Sequence, residues 1–177
     1  MSGKEFSMTR SSAPRSRLLE AFSHLILERT EGRPGLGEVI DKAQVARSTL
    51  YDHFGGRDDL LLEAIKMPLK ALADIGAGNG EPEALVAMLE HFRSRRQDAL
   101  DLITGPLRHR INRNLAAMIS ERDCKMDEKS AIHVADLLFG FMRLWLAGET
   151  AYSAETLAIL MIKSADAQRR VFLHEVD

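Results

Sequence analysis

Apolar residues recur along this chain at the three- and four-residue spacing of helices, and no stretch alternates convincingly with the two-residue period of a strand. Leu18, Ala21, Phe22, Leu25 and Ile26 give one apolar face to a helix predicted from about Arg15 to Arg29. The stretch TEGRPGLG stops it, because glycine and proline both interrupt a helix. A short helix near Glu38–Ala43 follows, then a turn, then a third helix from about Ala46 to His53. Gly55-Gly56 ends that one. Arg57, Asp58 and Asp59 open a fourth reaching Met67, with the two aspartates placed to complement the helix dipole.

Pro68 kinks or splits the fourth helix, and GAGNGEPE at 76–83 is the clearest linker. Beyond it the spacing predicts helices near Glu83–Arg95, Arg96–Ile103, Pro106–Glu121, Asp127–Ala147 and Ala154–Phe172. Pro106 fits a first helical position, where its missing N–H is harmless, and Ser153 fits an N-cap. The class is all-α, with about nine helices, no internal repeat and no low-complexity tract.

One block carries chemistry. In Val39–His53 the apolar residues Val39, Ile40 and Ala43 line one side of the short helix, and Val45 and Leu50 continue the same small core across the turn. Phe54 lies just past the end. Two short helices about a tight turn make a helix-turn-helix, whose second helix can enter a DNA major groove. With Val45 and Leu50 inward, the outward side shows Arg47, Ser48, Thr49 and Asp52. Arginine reaches guanine edges bidentately, and serine and threonine serve bases or phosphates. Tyr51 and His53 have the reach to hold phosphate oxygens, which fixes register without reading sequence.

The stretch VIDKAQVARSTLYDHFGGRDDLL resembles the DNA-binding signature of the TetR family of bacterial transcriptional regulators. Ala43, Val45, Thr49, Leu50, Tyr51, His53, Phe54, Arg57 and Leu60 fall on matching positions, and the likeness covers residues 15–66. The resemblance implies an N-terminal three-helix head with a helix-turn-helix (15–66), preceded by a flexible basic arm (1–14). A C-terminal helical bundle for ligand binding and dimerisation (67–177) would follow. It also implies a phosphate contact from Arg57; Arg15 and Arg17, in a basic N-terminal stretch of a kind that seeks phosphates or serves solubility, join the candidates for DNA contact. Two departures bear on the turn. Gln44 stands where the family has glycine, a residue at home at positive φ. Ala46 replaces the small polar residue that caps the next helix, a loss worth roughly 0.5–2 kcal/mol.

The C-terminal half reads more weakly. VADLLFGFMRLWLAG is apolar nearly all round and must be covered on more than one side. Gly140 and Arg143 share its third stripe, where a partner helix could approach; Leu157, Leu160, Met161, Ser164 and Gln168 offer a second helix to that interface. With the resemblance, these suggest a two-fold homodimer; the other reading is an intramolecular core. Candidates for a ligand pocket are His91, Phe92 and Arg95, then Leu107, Ile111 and Met118, and then Phe139, Met142 and Trp145, with Met88 as adaptable lining. Each also reads as ordinary core. The clusters Arg93/Arg95/Arg96 and Arg108/Arg110/Arg113 attract an anion or are solvated faces.

Composition narrows the picture only a little. The net charge is −2, and residues 1–66 carry ten basic and ten acidic side chains, so bulk charge is silent about DNA. The arm is the exception, with Lys4, Arg10, Arg15 and Arg17 against Glu5 over residues 1–17. A single cysteine, Cys124, points to a reducing compartment. The run Ile132–Ala147 reads as too short and too interrupted by charge to span a bilayer, so a cytoplasmic location is expected. No metal motif, phosphate loop or nucleophile elbow is present, so no enzyme activity and no cofactor are expected. The expected partners are double-stranded operator DNA, a second copy of the chain and an unknown small-molecule effector, with no membrane. The alternative is an all-α ligand-binding or enzymatic bundle whose helix-turn-helix no longer functions.

Overall fold

In the computed structural model, which describes residues 6–28, 32 and 34–174, ten helices and no strands are found among the described residues. The chain forms two compact units, Met1–Ile65 and Lys66–Asp177.

The first unit, the head, holds α1 (Phe6–Glu28), α2 (Leu36–Ala43), α3 (Arg47–His53) and α4 (Arg57–Ala64). The long α1 packs against the other three. Leu18, Phe22, Val39, Leu50 and Leu60 are fully enclosed, and burying each such side chain is worth about 1.5–3 kcal/mol. α1 starts well before the expected Arg15 and carries Pro14 inside it. Proline removes one backbone donor, and a helix of 23 residues keeps its bonds on either side of that gap. Arm residues 1–5 and the expected helix end at Arg29 lie outside the described residues.

The second unit, the body, holds α5 (Lys70–Gly76), α6 (Pro82–Ser94), α7 (Arg96–Thr104), α8 (Arg108–Arg122), α9 (Glu128–Ala147) and α10 (Ala154–His174). α9 is its hub and packs against α5, α7, α8 and α10. Leu72, Leu89, Ile111, Leu115, Ile119, Leu138, Met142 and Met161 form the core between them. Asp127 caps α9, its carboxylate accepting from the Ser130 N–H at 2.7 Å. That bond holds the Asp127 carboxyl below its ordinary pKa.

Several expectations change here. The helix expected to run from Arg57 to Met67 ends at Ala64, and α5 begins at Lys70, so Pro68 falls in a turn that divides them. This split supplies the tenth helix. GAGNGEPE is a tight connection inside the body, from the end of α5 to the start of α6. A Cβ on Gly76 would overlap Ile119, and one on Gly80 would meet the Ile75 backbone at 2.6 Å. These glycines therefore permit close approach; they do not confer slack. Pro106 lies in the turn before α8, and the first helical position is taken instead by Pro82 of α6. Finally, α9 begins four residues before the apolar run and reaches 20 residues, long and apolar enough by length and composition to cross a membrane. Its length excludes nothing; in this fold four neighbouring helices pack on it and bury part of its apolar surface.

Candidate nucleic-acid interface

The head presents α3 by anchoring it on one side. Leu50 is wholly enclosed and Phe54 nearly so. Arg47, Ser48, Tyr51 and Asp52 are exposed, while Thr49 and His53 are half-buried one turn apart. Tyr51 keeps 51% of its surface in solvent. An apolar anchor of one or two residues thus leaves a continuous polar face of arginine, hydroxyl and phenol along seven residues. Such a face can offer bidentate donors to base edges and hydroxyls to phosphates.

The turn before α3 is built by α2. At its start, Glu38 accepts a hydrogen bond from the Gly35 N–H at 2.7 Å. At its end Gln44 adopts φ 52° and ψ 50°, the left-handed region. The Gln44 N–H donates to Asp41 O at 3.3 Å and the Val45 N–H to Ile40 O at 3.4 Å. This crossed pair is a Schellman closure, which requires a left-handed residue at Gln44's position. The expected weakness is therefore real in energy, but the turn keeps its shape. Gln44 is the one non-glycine residue at positive φ among the described residues. Ala46 caps α3 with its backbone alone, its carbonyl accepting from the Thr49 N–H at 3.1 Å with no side-chain bond.

Two glycines then set the exit from α3. Gly56 sits at φ 155°, ψ −166°, a region open essentially to glycine alone. The Gly55 N–H donates to the Asp59 carboxylate at 3.0 Å, which ties the start of α4 to the end of α3. Arg57 is exposed in the first turn of α4.

Arg15 and Arg17 of α1, both expected to contact DNA, differ in placement. Arg17 is exposed. Arg15 is engaged within the head, paired with Glu63 at 2.8 Å and lying over the Phe54 ring at 5.4 Å. It thereby braces the α3–α4 exit, a role that no pattern in the local sequence signals, because its partners lie 39 and 48 residues away.

In the body, Phe92, Leu107, Ile111, Met118, Met142 and Trp145 are buried in the core, and Phe139 is half-buried. Trp145 donates its indole N–H to Tyr152 O at 2.8 Å. Arg95 lies at the α6–α7 junction. His91 stands apart from this set, on a groove of about 480 Å³ lined also by Met67, Pro68, Lys70, Ala71, Asp74, Ala84 and Met88. Sequence reading found His91 and Met88 but missed the rest; the i,i+4 pair Lys70–Asp74 beside the exposed Met67 is the signal that was there to use. Of the interface candidates, Leu157 and Met161 are enclosed within the body. Leu160, Ser164 and Gln168 are half-buried, and Arg143 is exposed and pairs with Glu149 at 3.6 Å. A Cβ on Gly140 would meet nothing within 4 Å. Among the described residues no three His, Cys, Asp or Glu side chains converge as metal ligands.

Residues 30–64 match the family model described as bacterial regulatory proteins, tetR family. No curated protein and no solved structure matches the chain. The matched segment spans α2, the Gln44 turn, α3 and α4, the elements whose geometry sets the exposed polar face. Residues 30–64 of this chain are therefore a helix-turn-helix domain of the tetR family, a DNA-binding domain.

Proposed function

We propose that the protein acts as a homodimeric repressor that binds a palindromic operator and is released by a small-molecule effector. The observation that carries this reading is the face of α3, with Arg47, Ser48, Tyr51 and Asp52 exposed over an enclosed Leu50. In a two-fold dimer, two such helices enter successive major grooves about 34 Å apart. Arg47 and Ser48 read bases, while Tyr51, His53, Arg57 and Arg17 hold phosphates. Arg15 supports them from within the head.

Support for dimerisation comes from the body. On α10, Leu160, Ser164, Ala167 and Val171 recur at heptad-like spacing on a stripe that flanks the enclosed Leu157 and Met161, half-buried at Leu160 and Ser164 and exposed at Ala167 and Val171. On α9, Gly140 stands between Leu137 and Leu144 with open space over it. Small residues in an apolar stripe let a second helix approach closely, which suits a two-fold seam. The interface is thus assigned to the outer stripes, without Leu157 and Met161.

Effector control requires that the ligand favour one arrangement of the heads over another. α4 ends at Ala64, so it does not run as one lever into the body. The joint is the turn through Met67 and Pro68, and the groove that those residues line is the natural place for an effector to act.

The test is a titration of fluorescent duplexes from around the protein's own coding region, with an unrelated duplex as control, at two salt concentrations. Two protomers should bind one site far more tightly than the control even at the higher salt. Arg47→Ala should weaken that site by about 1–3 kcal/mol, or roughly ten- to a hundred-fold. If remote operators are also tried and Arg47→Ala together with Ser48→Ala changes no specific affinity, this reading fails and the body becomes the functional part. Val171→Asp with Leu160→Asp should shift the sedimentation coefficient to that of a monomer; an unchanged dimer would move the interface elsewhere.

A further inference from the structure

The groove between α5 and α6 is amphipathic in a defined way. Met67, Pro68, Ala71, Ala84 and Met88 make its apolar part, and Met67 leaves 77% of its surface in water. A large apolar side chain so exposed at a groove rim gains by being covered. Against these stand Lys70 and Asp74 on α5 and His91 on α6. A volume near 480 Å³ is in the range that small-molecule sites occupy.

The charge arrangement selects a sign. Asp74 accepts from Lys70 Nζ at 2.8 Å on one oxygen and from Arg122 Nε at 2.6 Å on the other. Partial burial pushes the Asp74 carboxyl up, but these two donors and their charges outweigh it and hold it below its ordinary value. One carboxylate thus faces two cations, a local excess of one positive charge. Arg122 is fixed, since it also donates to Met118 O at 2.6 Å and keeps only 27% of its side chain exposed. Lys70 keeps 62% exposed. An ammonium has three donors, so Lys70 can serve a second acceptor, and if it swings away Asp74 still holds Arg122.

We propose that this groove takes a small amphipathic carboxylate, its apolar body over Met67, Ala84 and Met88 and its carboxylate on Lys70. This rests on the effector-controlled reading above and names the class of effector. The coupling follows from connectivity. Met67 and Pro68 belong to the short turn joining α4 to α5, and a ligand that orders them stiffens the joint between the two units.

The experiment is calorimetric titration of the full-length protein with sodium decanoate below its micelle concentration, beside 1-decanol and decyltrimethylammonium at the same pH. Decanoate should saturate at one per protomer and bind at least ten-fold more tightly than either comparison ligand. Lys70→Gln should remove most of that preference and leave decanol binding as it was. Ala84→Trp, which fills the groove from an exposed position on α6, should abolish binding of all three. Circular dichroism melts identify any variant that fails to fold, and the unmodified protein then decides on its own by ligand preference. Equal affinity for decanol, stronger binding of the cation, or a folded Lys70→Gln with full decanoate preference would each overturn the proposal. Operator titrations with decanoate separate the two readings: binding without operator release sinks effector control by this groove while leaving the site in place. Operator binding by a protein that ignores decanoate sinks the site alone.

Discussion

The head and the body close helices with the same backbone device, and they fill its critical position differently. α2 in the head, and α5 and α9 in the body, each end in a Schellman pair of hydrogen bonds about one left-handed residue. In the body that residue is glycine: Gly78 at φ 77° and Gly148 at φ 77°. Their closing bonds are 2.9–3.0 Å long. In the head it is Gln44, with bonds of 3.3 and 3.4 Å. Space explains which position can carry a side chain. A Cβ on Gly78 would sit 2.9 Å from the Arg169 guanidinium, and one on Gly148 would sit 3.0 Å from that of Arg96. Gln44 is exposed beside the shallow hollow formed with Arg17, Glu20 and His24, so it bears the torsional strain and no clash. A non-glycine residue held left-handed is strained by about 1–2 kcal/mol. That strain lies at the turn that aims α3, where stored strain tends to accompany function.

The sharpest break of this comparison is Gly78→Ala. It adds left-handed strain and presses on Arg169, whose Nε holds the buried Asp123 at 2.7 Å. A loss of about 2–3 kcal/mol in denaturant unfolding is expected. Gly148→Ala should lose less, about 1–2 kcal/mol, because Arg96 bonds to the Leu146 carbonyl and no buried acid depends on it. Ala46→Ser in the head should gain about 1 kcal/mol by supplying the missing cap. Gln44→Gly should gain about 0.5–1 kcal/mol, the relieved strain less glycine's entropy loss on folding. If operator affinity falls while stability rises, the strained turn contributes to aiming α3; if both rise, it is merely tolerated.

The smallest effect concerns pH at α5, whose closing turn uses the Asp74 carbonyl while its carboxylate holds Lys70 and Arg122. Its folded pKa lies below the ordinary 3.8. The stabilisation is therefore complete above the unfolded value and is lost as pH falls through the folded one. Asp74→Asn should be less stable than the unmodified protein at neutral pH, and the gap should begin to narrow as pH falls below about 4. A gap that does not narrow at any acid pH where the fold persists would show that the carboxylate charge contributes nothing.

The head was legible in the sequence because its signals are local. Val39, Ala43, Leu50 and Phe54 lie within one short span, and the α3 surface follows from their spacing. The Gly55-Gly56 exit likewise needs a residue type that only glycine supplies. Arg15 was legible as a basic residue but not as a brace, since Glu63 and Phe54 come to it only when α1 packs on the rest of the head. In the body, spacing located the helices but not their faces. Leu157 and Met161 looked as available as Leu160 and Ser164, and GAGNGEPE looked like slack.

Helical periodicity, the identity of the helix-turn-helix and the exposure of Arg47, Ser48 and Asp52 were determined by sequence alone, because each depends on contacts a few residues apart. Tertiary structure alone decided that Gln44 keeps a glycine's conformation, that Pro68 divides two helices and that Lys70, Asp74 and His91 meet on one groove. It decided as well which stripes of α9 and α10 remain outside. Each of these depends on which distant side chains compete for the same space and the same charges, and chain spacing does not encode that competition.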